Sequence, residues 1–101
     1  MDAPAALRVI EVGGDHSRME QAWALRRRVF IEEQHVPEEI EMDDDDAHAF
    51  HALAILDGTP VGCGRFVVHD NEVKIGRMAV LANLRTRGIG REILLYLMRI
   101  R

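Results

Sequence analysis

The stretch RTRGIG, Arg85 to Gly90, brings together the residue types that hold an anion without a metal. A helix N-terminus leaves backbone N–H groups without partners and carries a partial positive charge. Gly88 and Gly90 let a phosphate approach the main chain closely, and Arg85, Arg87 and Arg91 add positive charge. An apolar stretch, IGRMAVL, feeds this loop, and an amphipathic one, REILLYLM, leaves it, so the context is strand, loop, helix. The G-x-G-x-x-G spacing of dinucleotide folds is absent, as is the Gly-Lys-Ser/Thr of a P-loop. A glycine-containing turn ahead of a surface helix has the same composition, and the loop alone does not separate the two readings.

Other residues able to do chemistry are less organised. His48 and His51 are an odd number of positions apart in what reads as a strand, so they fall on opposite faces and cannot share a metal. His16, His35 and His69 read as loop residues. Asp43–Asp46 lacks the glycine and terminal glutamate of a calcium loop, so it reads as a solvated acidic loop able to attract cationic amines. No metal site is expected. Cys63, the one cysteine, excludes an intrachain disulfide and reads as a small buried side chain between Gly62 and Gly64.

The elements that must position these residues follow from periodicity. ALRVIEV (Ala6–Val12) alternates as a strand and stops at Gly13-Gly14. DHSRMEQAWALRRRVFIEEQ has helical spacing through Met19, Ala22, Trp23, Val29 and Phe30, with Asp15 or Ser17 as N-cap. HVPEEIEMDDDD should be an irregular solvated loop, and at least one of Arg26, Arg27 and Arg28 should pair with it rather than bind substrate. AHAFHALAILDG, VGCGRFVVHD and VKIGRMAVL read as three strands of a meander joined at DGTP and DNE. Gly62 and Gly64 allow a bulge or the close approach of another backbone. A helix from about Gly88 closes the chain, with Leu94, Leu97 and Met98 as its core stripe. The expected order is β-α-β-β-β-α, an α/β (α+β) fold with a central antiparallel meander.

At 101 residues the chain is a single domain, residues 1–101, with an aliphatic core, since only five residues are aromatic. A net charge of −4 argues against binding nucleic acid through bulk charge. Nine acidic residues lie between Glu32 and Asp46, while Arg85–Arg101 holds five arginines and one glutamate. No apolar run approaches membrane-spanning length, and MDAPAALRVIEV lacks a signal-peptide pattern, so a cytoplasmic protein with no membrane partner is expected.

KIGRMAVLANLRTRGIGREILLYLM resembles the coenzyme A-binding motif of the GCN5-related N-acetyltransferases, Arg/Gln-x-x-Gly-x-Gly/Ala, with Arg85, Gly88 and Gly90 in its three places. LRRRVFIEEQHVPEEIEMD is similar to the first helix and following loop of a bacterial subgroup reading LRxxVFxxEQxVPxExExD. The resemblance implies a GNAT-like fold and transfer of an acetyl group from acetyl-coenzyme A to a small primary amine, by direct attack of the unprotonated amine on the thioester. It maps pyrophosphate binding to the main chain of Arg85, Thr86, Arg87, Gly88, Ile89, Gly90 and Arg91, and pantetheine binding to Met78, Ala79 and Val80. Glu32 and Glu33 then border the acceptor site, where Glu33 is a candidate proton acceptor, and His51 is a second candidate facing the acetyl group. Tyr96 lies inside the cofactor helix and should pack.

Family members continue past this helix with further strands that supply a general acid and one wall of the acceptor pocket. Those C-terminal strands have no counterpart in this sequence, which therefore reads as a C-terminally shortened member. Its third meander strand would have an unpaired edge, and a homodimer or other self-association completing the sheet is expected. The alternative is a non-catalytic acyl-coenzyme A-binding module, or a fold fragment completed by oligomerisation.

Overall fold

A computed structural model of the chain describes residues 6–41 and 43–100. The first residues read for a leader, 1–5, and the last residue of the closing helix, Arg101, lie outside the described residues. Strand β1 (Leu7–Glu11) leads into α1 (His16–Arg26), which Asp15 caps by accepting from the Arg18 N–H at 3.1 Å. A π-helical turn (Arg27–Glu33) continues α1, with the Gln34 N–H reaching back five residues to the Val29 carbonyl. The segment expected to be an irregular loop folds instead, as α2 (Glu38–Glu41) and a 3-10 turn (Asp44–Ala47). Strands β2 (Phe50–Leu56), β3 (Thr59–His69) and β4 (Glu72–Val80) follow, then α3 (Ile89–Ile100).

The four strands form one antiparallel sheet in the order β1-β2-β3-β4. Both tight hairpins have two central residues with positive φ, Asp57 (50°) and Gly58 (82°), then Asp70 (50°) and Asn71 (67°). That is the backbone of the two-residue turn whose twist matches paired strands. In β4, Ala79 pairs with Cys63 and Gly76 with Arg65, so β4 carries an extra residue there, with Arg77 at φ 52°.

Alternation along the strands assigns the two faces. Leu53, Cys63 and Ala79 pack with Ala22, Leu25 and Val29 of the first helical segment. Ala52, Ala54 and Val61 pack with Ile89, Ile93 and Leu97 of α3. The sheet is thus held between two helices. As expected, the register shifts beside both glycines, and a Cβ at Gly62 would lie 3.1 Å from the Ala79 carbonyl oxygen; both positions also admit side chains of α3. A Cβ at Gly64 would lie 2.9 Å from Ile93 Cγ2 and 2.5 Å from Met78 Sδ, and one at Gly62 would lie 3.0 Å from Ile93 Cδ1.

The core stripe of α3 also differs from the expected one. Ile89, Ile93 and Leu97, at i, i+4 and i+8, are fully buried, whereas Leu94 and Met98 are 38% and 45% exposed. Leu94 and Met98 are one position round the helix from the true stripe, and apolarity alone did not separate the two rows. Tyr96 packs beside Phe50, their rings 6.5 Å apart. Cys63 is buried, its Sγ 3.8 Å from the Ala22 carbonyl, and burial pushes its thiol up to about 12, far from a thiolate nucleophile.

Candidate functional site

The loop between β4 and α3 is built around two residues with positive φ, Thr86 (67°) and Gly88 (81°). A short 3-10 turn, Ala82–Leu84, precedes Arg85, which is extended. The first α3 hydrogen bond runs from the Glu92 N–H to the Gly88 carbonyl, at 3.1 Å. The N–H groups of Ile89, Gly90 and Arg91, ahead of that bond, therefore have no acceptor within the helix. They front a cavity of about 280 Å³ lined by Val80, Leu84, Arg85, Thr86, Gly88, Ile89, Gly90 and Arg91. A Cβ at Gly90 would meet only Val80 Cγ2, at 3.8 Å. Arg91 of this lining is exposed, as is Arg87 between two lining residues of the loop.

Strand β4 lies at the edge of the sheet. The Leu81 N–H bonds inward to the Val61 carbonyl at 3.0 Å, so by alternation the polar groups of Val80 face the open side. There the Val80 carbonyl accepts from Arg85 Nε at 3.0 Å. The other two nitrogens of Arg85 hold Glu33, Nη1 to Oε1 at 2.5 Å and Nη2 to Oε2 at 3.0 Å. Hydrogen bonds from Arg85 hold the Glu33 carboxylate below its ordinary range, while the guanidinium is raised in turn.

On the sheet face below α1 lies a second polar assembly that the sequence did not disclose. Arg26, 1% exposed, donates from Nε to Glu41 Oε1 (2.6 Å), from Nη2 to the Glu41 carbonyl (2.6 Å) and from Nη1 to Asp46 Oδ1 (2.7 Å). Arg65 donates from Nη1 to Asp43 and Asp46, at 2.8 and 2.7 Å, and from Nη2 to Asp43 at 3.0 Å. Arg77, from the bulge, reaches Asp43 Oδ2 at 2.9 Å and Glu41 Oε2 at 3.2 Å. Three guanidinium groups thus face three carboxylates, each hydrogen-bonded, which is the condition for burying charge. Asp43 and Asp46 are therefore not part of a solvated run. They pin the loop onto the sheet. The expected arginine pair is present twice, since Arg27 also pairs with Glu38.

His51 belongs to this assembly. It is buried on the α1 face, with Nε2 donating to the Asp46 carbonyl at 3.0 Å. It stands in register with Arg65, and Arg65 with Gly76, four residues or about 13 Å along β4 from Val80. His48 lies ahead of β2 rather than in it, so the two histidines do not occupy alternate faces of one strand. His16 and His69 also differ from the loop placement. His16 opens α1 and sits 2.9 Å from Glu20, while His69 ends β3, 3.4 Å from Asp45. Glu33 and His51, the two expected proton acceptors, are not brought together, and both are engaged by partners.

Burial holds the His51 imidazole below its ordinary value of 6.5, so the neutral ring is the native form at neutral pH. The hydrogen bonds from Arg65 hold Asp43 down to about 2. For Asp46, burial raises the carboxyl, but the hydrogen bonds and charges of Arg26 and Arg65 together keep it below the usual range. All three groups have folded pKa values below their unfolded ones, so each adds stability that is lost as pH falls. Thermal melts should show a shallow decline in Tm below about pH 6.5, where unfolded histidine binds its proton, and a steep one below about pH 4. In His51→Gln the shallow step should vanish while the steep one persists.

The loop motif and the arrangement around it agree with what comparison with known proteins shows. The model of the acetyltransferase (GNAT) family matches residues 18–100. This chain belongs to that family. Among its relatives is an uncharacterized N-acetyltransferase, YjcF, of Bacillus subtilis, 34% identical over 80 residues that cover 78% of this chain. The match covers 56% of YjcF, so the chain spans little more than half the length of that relative. An acyl-CoA N-acyltransferase of Pseudomonas aeruginosa has the same fold at a TM-score of 0.81, with 24% identity over 92% of this chain and 68% of its own. An aminoglycoside acetyltransferase, meta-AAC0020 from an uncultured soil metagenomic sample, solved with sisomicin, is similar at a TM-score of 0.72. There the identity is 18%, over 94% of this chain and 69% of that one.

Proposed function

We propose that this chain forms the coenzyme-binding part of a cytoplasmic N-acetyltransferase that moves an acetyl group from acetyl-coenzyme A to a small primary amine. One observation carries the reading. Three backbone N–H groups without helical acceptors stand at a cavity bordered by Gly88 and Gly90, beside the edge strand β4, whose Val80 carbonyl is held by Arg85. A diphosphate fits such a place because glycine keeps side-chain bulk away from its oxygens, and Arg87 and Arg91 add positive charge at the rim. The main chain of Arg85–Arg91 is assigned to the diphosphate. The edge of β4 at Met78, Ala79 and Val80 is assigned to the amide groups of the pantetheine arm.

When bound, acetyl-coenzyme A supplies a thioester that a neutral amine attacks directly. The chain's own part is orientation, which lowers the barrier by removing the entropy of bringing two reactants together. Glu33 is not assigned as the proton acceptor, because both of its oxygens are turned to Arg85 and that pairing lowers their basicity. His51 is not assigned either, because it is buried against Asp46 away from the β4 edge. Acceptance of small amines is supported by the aminoglycoside acetyltransferase that shares the fold.

A second reading, a coenzyme-binding subunit completed by another copy of itself, is favoured by the open β4 edge and by the exposed Leu94, Met98 and Ile100 on α3. Calorimetric titration with acetyl-coenzyme A tests both readings. Saturation near one coenzyme per chain is expected, followed by thiol release with at least one amine of a panel. Binding without turnover, in a particle heavier than one chain, favours the second reading. Absence of binding overturns both.

A further inference from the structure

The loop from Leu81 to Gly88 packs Leu81 and Leu84 against the core, but among the described residues it has few directional anchors outside itself. Its own bonds, Leu84 N–H to the Leu81 carbonyl and Arg85 N–H to the Ala82 carbonyl, are local, and the Leu81 N–H joins it to Val61 of β3. Arg85 adds a directional anchor. Its Nε fixes the plane of the guanidinium on the Val80 carbonyl, and the Nη1/Nη2 fork then meets the carboxylate of Glu33, 52 residues earlier in the chain. One side chain thereby ties the end of β4, the loop and the end of the π-helical turn. Two-point pairing of a guanidinium with a carboxylate fixes direction as well as distance.

We propose that Glu33 is a positioning residue for coenzyme binding: through Arg85 it sets where the main chain of Arg85–Arg91 stands relative to the edge of β4. This rests on the assignment of that loop to the diphosphate. Two other roles for Glu33 disagree with the geometry. A proton acceptor needs a basic carboxylate turned to the amine, whereas both Glu33 oxygens are turned to the Arg85 fork, which lowers their basicity. A carboxylate competing with phosphate for Arg85 would need the fork to turn elsewhere, yet the Nε bond to Val80 holds its plane.

The test is Glu33→Ala, with Arg85→Lys as its reciprocal, since lysine keeps the charge but loses the fork. Each should raise the Kd and the KM for acetyl-coenzyme A by about fivefold, the scale of a part-exposed ion pair. At saturating coenzyme kcat should fall by less than KM rises, and the pH profile of kcat should keep its shape. The double variant should be no worse than either single one. Amide exchange in the ligand-free protein should speed up at residues 86–91 in both variants and not in β2 or β3. A large loss of kcat with unaltered Kd would overturn the proposal in favour of a base, and tighter binding would overturn it in favour of a competitor. If the unaltered chain binds no coenzyme, the loop assignment fails by itself. The exchange comparison then decides the brace, and equal rates at 86–91 would overturn it.

Discussion

Replacing Arg26 with methionine is expected to lower the unfolding free energy by about 3–5 kcal/mol, the usual result of removing one partner from a buried ionic pair. Arg26 satisfies the Glu41 carboxylate, the Glu41 carbonyl and Asp46 together, and no solvent replaces it at a site 1% exposed. Urea unfolding with an unchanged denaturant slope is the measurement. The double variant Arg26→Met, Glu41→Leu should recover at least half of the loss, because it removes the stranded carboxylate and leaves Arg77 on Asp43. A single-variant loss below about 1 kcal/mol would show that the network contributes little beyond what water offers either charge.

Gly88→Val should weaken acetyl-coenzyme A binding by about a hundredfold, equivalent to losing two tenfold steps in affinity. Two effects add. A β-branched residue at φ 81° is strained by about 1–3 kcal/mol, and its side chain would occupy space beside the free N–H groups of α3. The strain lowers the Tm without unfolding the chain, so the loss of binding can be read in folded protein. Gly90→Ala is the control for bulk, since its Cβ meets only Val80 at ordinary contact distance. It should fold at least as well as the parent. Titration calorimetry decides the matter, and binding by Gly88→Val within threefold of the parent would show that the loop is not the cradle.

Much of this architecture was legible because its causes are local. Alternation set the strands, Asp57-Gly58 and Asp70-Asn71 tolerate the positive φ of their turns, and Asp15 caps α1 as its position suggested. The loop at Gly88 was legible for the same reason, as a backbone requirement written into consecutive residues. What stayed hidden depends on partners far apart in sequence. Glu41, Asp43 and Asp46 read as solvated because their arginines come from α1, β3 and β4, and no period links Arg26 to Arg65. The subgroup pattern that includes Arg26, Glu33, Glu41 and Asp43 was recognisable as a string. Its physical content is two ionic assemblies, one under α1 and one at the coenzyme loop. The helix stripe failed differently, because Leu94 and Met98 are as apolar as the residues that are buried.

The bare floor at Gly62 and Gly64 acts as a shim beneath the long axis of α3. Ile93 rests over both glycines and Leu97 over Gly64, so any side chain placed there would lift the middle of the helix. The first turn, residues 89–91, lies two to eight residues away along the same rod, with Ile89 itself over Gly62, and would tilt with it. Substitutions in β3 that never touch a ligand would then present as defects of the phosphate end, and a survey of binding mutants would mark a strand that only sets its height.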